Sequence, residues 1–182
     1  MMTRCIFTRL LLVLSVLVLS ACADMNYCMQ CAVGHLKVMS QRRPISDVIQ
    51  DSQVSESERQ KLSKALAIRL FAVEELALPD NDSYRSYADT GRPYVVWNVV
   101  ATPEFSLKPK QWCYFKEESA EIMADELRLQ GYDVEVYGVK AYSTLSWFDD
   151  PVLNTFFDGD DSHLAGIIFH ELSHHVVYVA DD

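Results

Sequence analysis

The chain has 182 residues, 49% of them hydrophobic, and a formal net charge of −10. That length and apolar fraction suit one domain with a respectable core. So acidic a chain, with no basic patch visible in its mature part, argues against a nucleic-acid partner, because phosphate binding rests on Lys and Arg neutralising the backbone.

Arg4 and Arg9 open the chain, Leu10 to Leu19 is an almost unbroken apolar run, and Ser20, Ala21 and Cys22 follow. A positive start, a short apolar stretch and small residues before a cleavage point read as a secretory signal, too short for a membrane span. Leu19-Ser20-Ala21-Cys22 looks like a bacterial lipobox. It predicts a signal peptide over residues 1–21, cleavage before Cys22 and diacylglycerol on its sulfur, so that residues 22–182 form one lipid-anchored domain. The alternative is an ordinary signal peptide followed by an incidental cysteine. Cys28, Cys31 and Cys113 then remain, an awkward number for an oxidising compartment. Cys28-Met29-Gln30-Cys31 has redox or zinc spacing but no second pair, and reads as incidental or structural.

The segment from about Met25 to Ser40 can be helical, with a mixed apolar pattern. Ser55-Glu56-Ser57-Glu58 is a capping box. Leu62, Leu66, Leu70, Val73 and Leu76 follow at helical spacing until Pro79-Asp80-Asn81-Asp82 stops the helix. Asn81 to Arg92 is a polar, tyrosine-bearing loop. Tyr94 to Val100 is rich in β-branched and aromatic residues, as for a central strand covered on both faces. Thr102-Pro103 marks a turn and Glu104 to Lys108 a returning strand. Glu117 to Gln130 reads as a helix closed by Gly131, and Tyr132, Val134 and Val136 alternate with Asp133 and Glu135 as a half-buried strand. Phe148 to Pro151 and Asp158 to Ser162 are turns. The second offers an N-cap to the last helix and lacks the spacing of a calcium loop.

Leu164, Ile167, Ile168, Leu172, Val176 and Val179, with Phe169 and Val177 outside that stripe, surround the last helix with apolar residues and predict burial. Within it stands His170-Glu171-Leu172-Ser173-His174. Histidines four apart lie on one helical face a turn from each other, so both nitrogens can reach one zinc ion at about 2.0 to 2.1 Å. Glu171 can then take a proton from the metal's water as it attacks a carbonyl and pass it to a leaving amine. Two core histidines without a metal are the bland alternative, disfavoured by the cost of burying such a trio. His163 lies about 10 Å along the axis from His170, too far for the same ion. His175 reads as a boundary or supporting residue. Catalytic zinc needs a third protein ligand. Asp181 and Asp182 lie too far along a continuing helix, and Asp149, Asp150 and Asp158 stay open as upstream candidates.

The strings from Ser83 to Asp89, Gly91 to Val99 and Tyr142 to Pro151, together with His170 to Val179, resemble the putative aminopeptidase family of bacterial lipoproteins. The resemblance runs from the lipobox to the last residue. It implies a gluzincin-like metallopeptidase, with His170 and His174 as zinc ligands and Glu171 as the base. Family members usually continue to an Asn-Glu pair supplying the third ligand. They also carry a longer segment, with a second cysteine, where Trp112-Cys113-Tyr114-Phe115 stand fused here. The resemblance therefore implies a shortened version.

The expectation is an α+β fold, mainly helical, whose small sheet of Tyr94 to Val100 and Tyr132 to Tyr137 backs onto helices including a buried zinc helix. The expected function is zinc-dependent peptide hydrolysis at the periplasm-facing bacterial envelope. Peptides would be the substrates and Cys22 the membrane anchor. Tyr84, Tyr87, Tyr94 and Tyr142 are candidates for oxyanion or substrate contacts, since a phenol donates to charge developing on a carbonyl oxygen. The competing reading is a catalytically inactive envelope lipoprotein with a binding or structural role.

Overall fold

The computed structural model describes residues 25–144 and 147–177. The leader, Cys22, Val179 and the terminal aspartates lie outside the described residues. The fold is α+β, with five α-helices and two three-stranded sheets among the described residues.

Residues 25–40 form helix α1. A short strand β1 (Arg43–Pro44) leads into α2 (Ile45–Gln50). Helix α3 (Glu56–Glu74) starts where the capping box predicts, with Ser55 Oγ accepting from Glu58 N at 3.2 Å. The Glu58 carboxylate does not return to the cap; it accepts from Tyr87 Oη at 2.6 Å. The buried face of α3 is Leu62, Ala65, Arg69 and Ala72, whereas Leu70 and Leu76 are exposed. Of the leucine stripe read from the sequence, Leu62 is therefore on the core and Leu66 half-buried against it, while Leu70 and Leu76 face away. The inward face carries small alanines and one long cation that bonds backbone carbonyls beyond the helix end.

Strand β2 (Ser86–Ala88) pairs antiparallel with β1 and parallel with β6 (Val152–Leu153). The second sheet has the order β4-β3-β5, all antiparallel: β3 is Val96–Pro103, β4 Lys110–Tyr114 and β5 Tyr132–Val139. β3 is central, as expected. It starts and ends slightly later than expected, and its return strand begins at Lys110, because residues 104–109 form the connection. Full cover exists on one face only: Trp97, Val99 and Ala101 are buried while Asn98 and Val100 are half-buried.

Helix α4 (Glu117–Leu129) supplies that cover through Ala120, Ala124 and Leu127. Gly131 at φ 84° closes it, a left-handed position that a Cβ would strain. The larger core lies elsewhere, joining α1, α2, α3, β2 and β6 to helix α5 (Asp161–Ser173). The β4-β3-β5 sheet thus backs onto α4, while α5 packs against α3.

Side chains of α1 satisfy the outer edge of β4. Tyr27 Oη accepts from Cys113 N at 3.2 Å, and Gln30 accepts from Phe115 N and donates to Cys113 O at 3.2 and 3.0 Å. This answers the edge-strand problem by covering the strand. Cys31 and Cys113 meet at that seam, and burial raises the pKa of both thiols, Cys113 to about 11. Thiols held protonated are poor nucleophiles, which suits a packing role for Cys31 and Cys113, while Cys28 is exposed.

Candidate metal and catalytic site

Helix α5 is fixed at its start by Asp160, whose carboxylate accepts from His163 N at 2.8 Å, and by an Asp161–Lys64 ion pair to α3 at 2.9 Å. Asp158 pairs with Lys140 at 2.9 Å. These partners are a capping serine-and-aspartate turn at work, with its carboxylates held by lysines and a backbone N–H. Leu164, Ile168 and Leu172 are the fully buried residues of α5, and Phe169 meets Phe71 of α3 at 6.0 Å between ring centres. Burial is thus one-sided. Val176 and Val177 are exposed, and His170 stands on the open side.

The four-residue spacing does what helical geometry requires. His170 and His174 place their Nε2 atoms 3.1 Å apart, with ring centres 4.6 Å apart and planes perpendicular. Two nitrogens each about 2.05 Å from one zinc ion and separated by that distance subtend about 98° at the metal, close to a tetrahedral angle. Without an ion the same geometry makes one N–H···N hydrogen bond between neutral imidazoles. Among the described residues no third His, Cys, Asp or Glu joins them to complete a set of three. Asp150 is turned elsewhere: buried, it accepts from Thr144 N at 2.6 Å and from the Thr144 hydroxyl at 3.0 Å. Burial raises its pKa against the pull of those hydrogen bonds.

Glu171 is half-buried on the inner side of the motif. Its charge reaches Tyr84, whose pKa is raised first by burial, then by Glu171 and Asp150, with Ser143 acting the other way. Tyr84 is fully buried, its hydroxyl makes no well-formed hydrogen bond among the described residues, and its backbone sits at φ 63°. A bulky residue in the left-handed region is a genuine outlier, held there because Tyr84 N donates to Asp150 O at 2.6 Å. The other three tyrosines are placed apart from Glu171 in their contacts. Tyr87 donates to Glu58 and stacks on Phe157 at 5.9 Å; Tyr94 packs edge-on against Trp97 at 6.1 Å; Tyr142 lies against Phe115 at 5.3 Å, its pKa pushed up to about 12 chiefly by burial.

The supporting network under the motif includes residues that the sequence does not single out. Arg69 donates to the carbonyls of Ser83, Pro79 and Asn81 at 3.0, 2.7 and 3.0 Å, and to Asn81 Oδ1 at 3.2 Å. With Oδ1 also accepting from Ser83 N, the Asn81 amide must turn its NH2 toward His175 Nδ1, 2.9 Å away. Nδ1 is then the acceptor, and in the neutral ring Nε2 carries the hydrogen. Burial lowers the His175 pKa, which favours that neutral form, and Nε2 is buried without a partner among the described residues. His175 is therefore tied to the α3–β2 connection one residue after a motif histidine, consistent with its reading as a supporting residue. A histidine directly after the motif was the only signal; Asn81 and Arg69 carried none.

A family model described as a putative aminopeptidase matches residues 26–182. No curated protein and no solved structure matches the chain.

Proposed function

The chain belongs to the putative aminopeptidase family, and from that premise we propose that it is a zinc-dependent peptidase of the bacterial envelope, acting on peptides and anchored through lipid on Cys22. The observation that carries the reading is the 3.1 Å approach of the two motif nitrogens beside a half-buried carboxylate. His170 and His174 would hold the metal, and no third His, Cys, Asp or Glu stands with them among the described residues. Zinc bound there would polarise the scissile carbonyl and acidify water.

Glu171, beside the first ligand, takes the proton released as water attacks and delivers it to the leaving nitrogen. The buried, high-pKa Tyr84 phenol stays protonated and is the tyrosine best placed to donate near the base. Since Tyr84 is covered, substrate contact with it requires its cover to move. His175 and Asn81 fix the helix end on which His174 sits. His174 is the C-cap residue, so the tether limits fraying at the ligand that most needs it.

The test is metal analysis of the purified chain together with hydrolysis of aminoacyl anilides. Wild-type protein is expected to retain zinc and turn over. Glu171→Gln should retain the zinc and lose about 10²- to 10⁴-fold in rate, the usual contribution of general acid–base catalysis. A His170→Ala variant that holds as much zinc as wild type, or a wild-type chain that holds none, overturns the reading in favour of an inactive lipoprotein.

A further inference from the structure

Helix α1 is apolar on two opposite faces. Tyr27, Cys31, His35 and Val38 turn inward, half-buried or buried. Met25, Met29, Val33 and Leu36, at intervals of four, four and three residues, form a second stripe along the outside, each 57 to 64% exposed. Scattered exposed apolar residues are ordinary, but a continuous stripe along one helix is an interaction face.

The charge around this stripe points to its partner. Residues 25–46 contain Lys37, Arg42 and Arg43 and no Asp or Glu, in a chain whose net charge is −10. Beside the stripe opens a cavity of about 350 Å³, floored by Val33, Val38 and Phe115 and rimmed by Lys37, Arg92 and Lys116, with no carboxylate in its lining. Arg92 spends its guanidinium on the carbonyls of Phe115 and Val95. Lys37 and Lys116 form no ion pair among the described residues. Glu117 and Glu118 follow Lys116 on α4 but do not line the cavity. No basic patch is visible along the sequence; folding assembles one from three distant segments. The chain just ahead of Met25 carries the apolar run Leu10 to Leu19 and Cys22.

We propose that this face of α1 lies on an anionic phospholipid bilayer. Met25, Met29, Val33 and Leu36 enter the boundary between headgroups and acyl chains, and a lipid phosphate sits between Lys37 and Lys116. An in-plane helix of this kind needs apolar area on one side and cations at headgroup level, and both are present. A second copy meeting this face through its own copy of it would bring the same cations to the rim and be repelled. Among the described residues no helix is long and apolar enough to cross a membrane.

The experiment incorporates the full chain into vesicles of phosphatidylglycerol and phosphatidylethanolamine containing a lipid with a photoactivatable acyl chain, and maps adducts by peptide mass spectrometry. Adducts are expected on the peptide spanning Met25 to Leu36. They should fall about tenfold or more in phosphatidylcholine vesicles and in the Lys37→Glu/Lys116→Glu variant, as expected for losing two headgroup-level cations. Met29→Glu/Val33→Glu should abolish them, and circular dichroism should show the helix content of both variants unchanged, since all four positions are exposed. Labelling confined to residues 1–24 or to the exposed Phe105 and Leu107, equal labelling in both lipids, or α1-to-α1 cross-links between copies would overturn the proposal. Intact mass reports separately whether Cys22 is lipidated. Zinc and turnover play no part in the readout, so failure of the peptidase reading leaves this result standing.

Discussion

In the layer built from β4, β3, β5 and α4, every buried side chain is apolar: Val96, Trp97, Val99, Ala101, Ala120, Ala124 and Leu127. Beneath α5 and α1 the buried set includes Arg69, Ser83, His35, Asp150 and Thr155, and the Tyr84 hydroxyl, one His175 nitrogen, both His35 nitrogens and one Arg69 nitrogen make no well-formed hydrogen bond among the described residues. The first region follows the general rule for cores; the second breaks it repeatedly, and two of its members, Tyr84 and His175, feel the charge of Glu171. Buried polar atoms without partners are costly, so a fold that retains them there while sparing its other layer is keeping them for something other than stability.

The contrast is sharpest at Arg69. It holds three carbonyls of the loop that positions Asn81, and through Asn81 it holds His175. Arg69→Met keeps much of the volume but strips those carbonyls of their donor. The expected loss is about 3 kcal/mol of unfolding free energy, read from urea midpoints, because each buried acceptor left unsatisfied costs about 1 to 3 kcal/mol. A loss under about 1 kcal/mol would mean that water replaces the guanidinium, and the polar region would then be far looser than its hydrogen bonds suggest.

Val99→Ala probes the other layer. Val99 is fully exposed to none of the solvent and packs on α4. Removing two methyl-sized groups from such a site should cost about 2 kcal/mol, the transfer loss plus part of a cavity. The expected signature is unchanged zinc content and turnover per folded molecule. A fall in turnover would join the two regions mechanically and erase the comparison.

These two regions also differ in how well they can be read from sequence. β3, β5, α4 and the Gly131 stop are legible because apolar alternation, helical spacing and a left-handed glycine each have one structural meaning. The sequence puts the return strand at Glu104 to Lys108 and not at Lys110–Tyr114 because β4 is an edge, its outer groups bonded by Tyr27 and Gln30 of a helix far away in sequence. The α3 stripe holds at Leu62 and Leu66 but fails at Leu70 and Leu76 for a related reason. Leu66 and Leu70 outrank Ala65 and Arg69 on any hydropathy scale, yet the carbonyls that make Arg69 an interior residue come from positions ten to fourteen further along. The convergence of His170 and His174 needed only helical geometry. The Asn81–His175 tether needed the fold.

Tyr84 lies where the two kinds of reading meet, and Tyr84→Phe has the smallest expected effect on stability. The substitution keeps the ring, its contact with Phe156 at 6.4 Å and the backbone at φ 63°, and removes only the hydroxyl. A buried hydroxyl without a well-formed hydrogen bond contributes little to the folded state, so unfolding free energy should change by less than about 1 kcal/mol, and a slight gain is possible on the same grounds. If the phenol donates beside Glu171 during turnover, the rate falls tenfold or more while zinc content holds, the loss expected for removing a preorganised donor. A stability loss above about 2 kcal/mol with turnover intact would make Tyr84 a structural residue. Its strained backbone would then serve the Asp150 carbonyl alone, and Glu171 would have to work without a neighbouring donor.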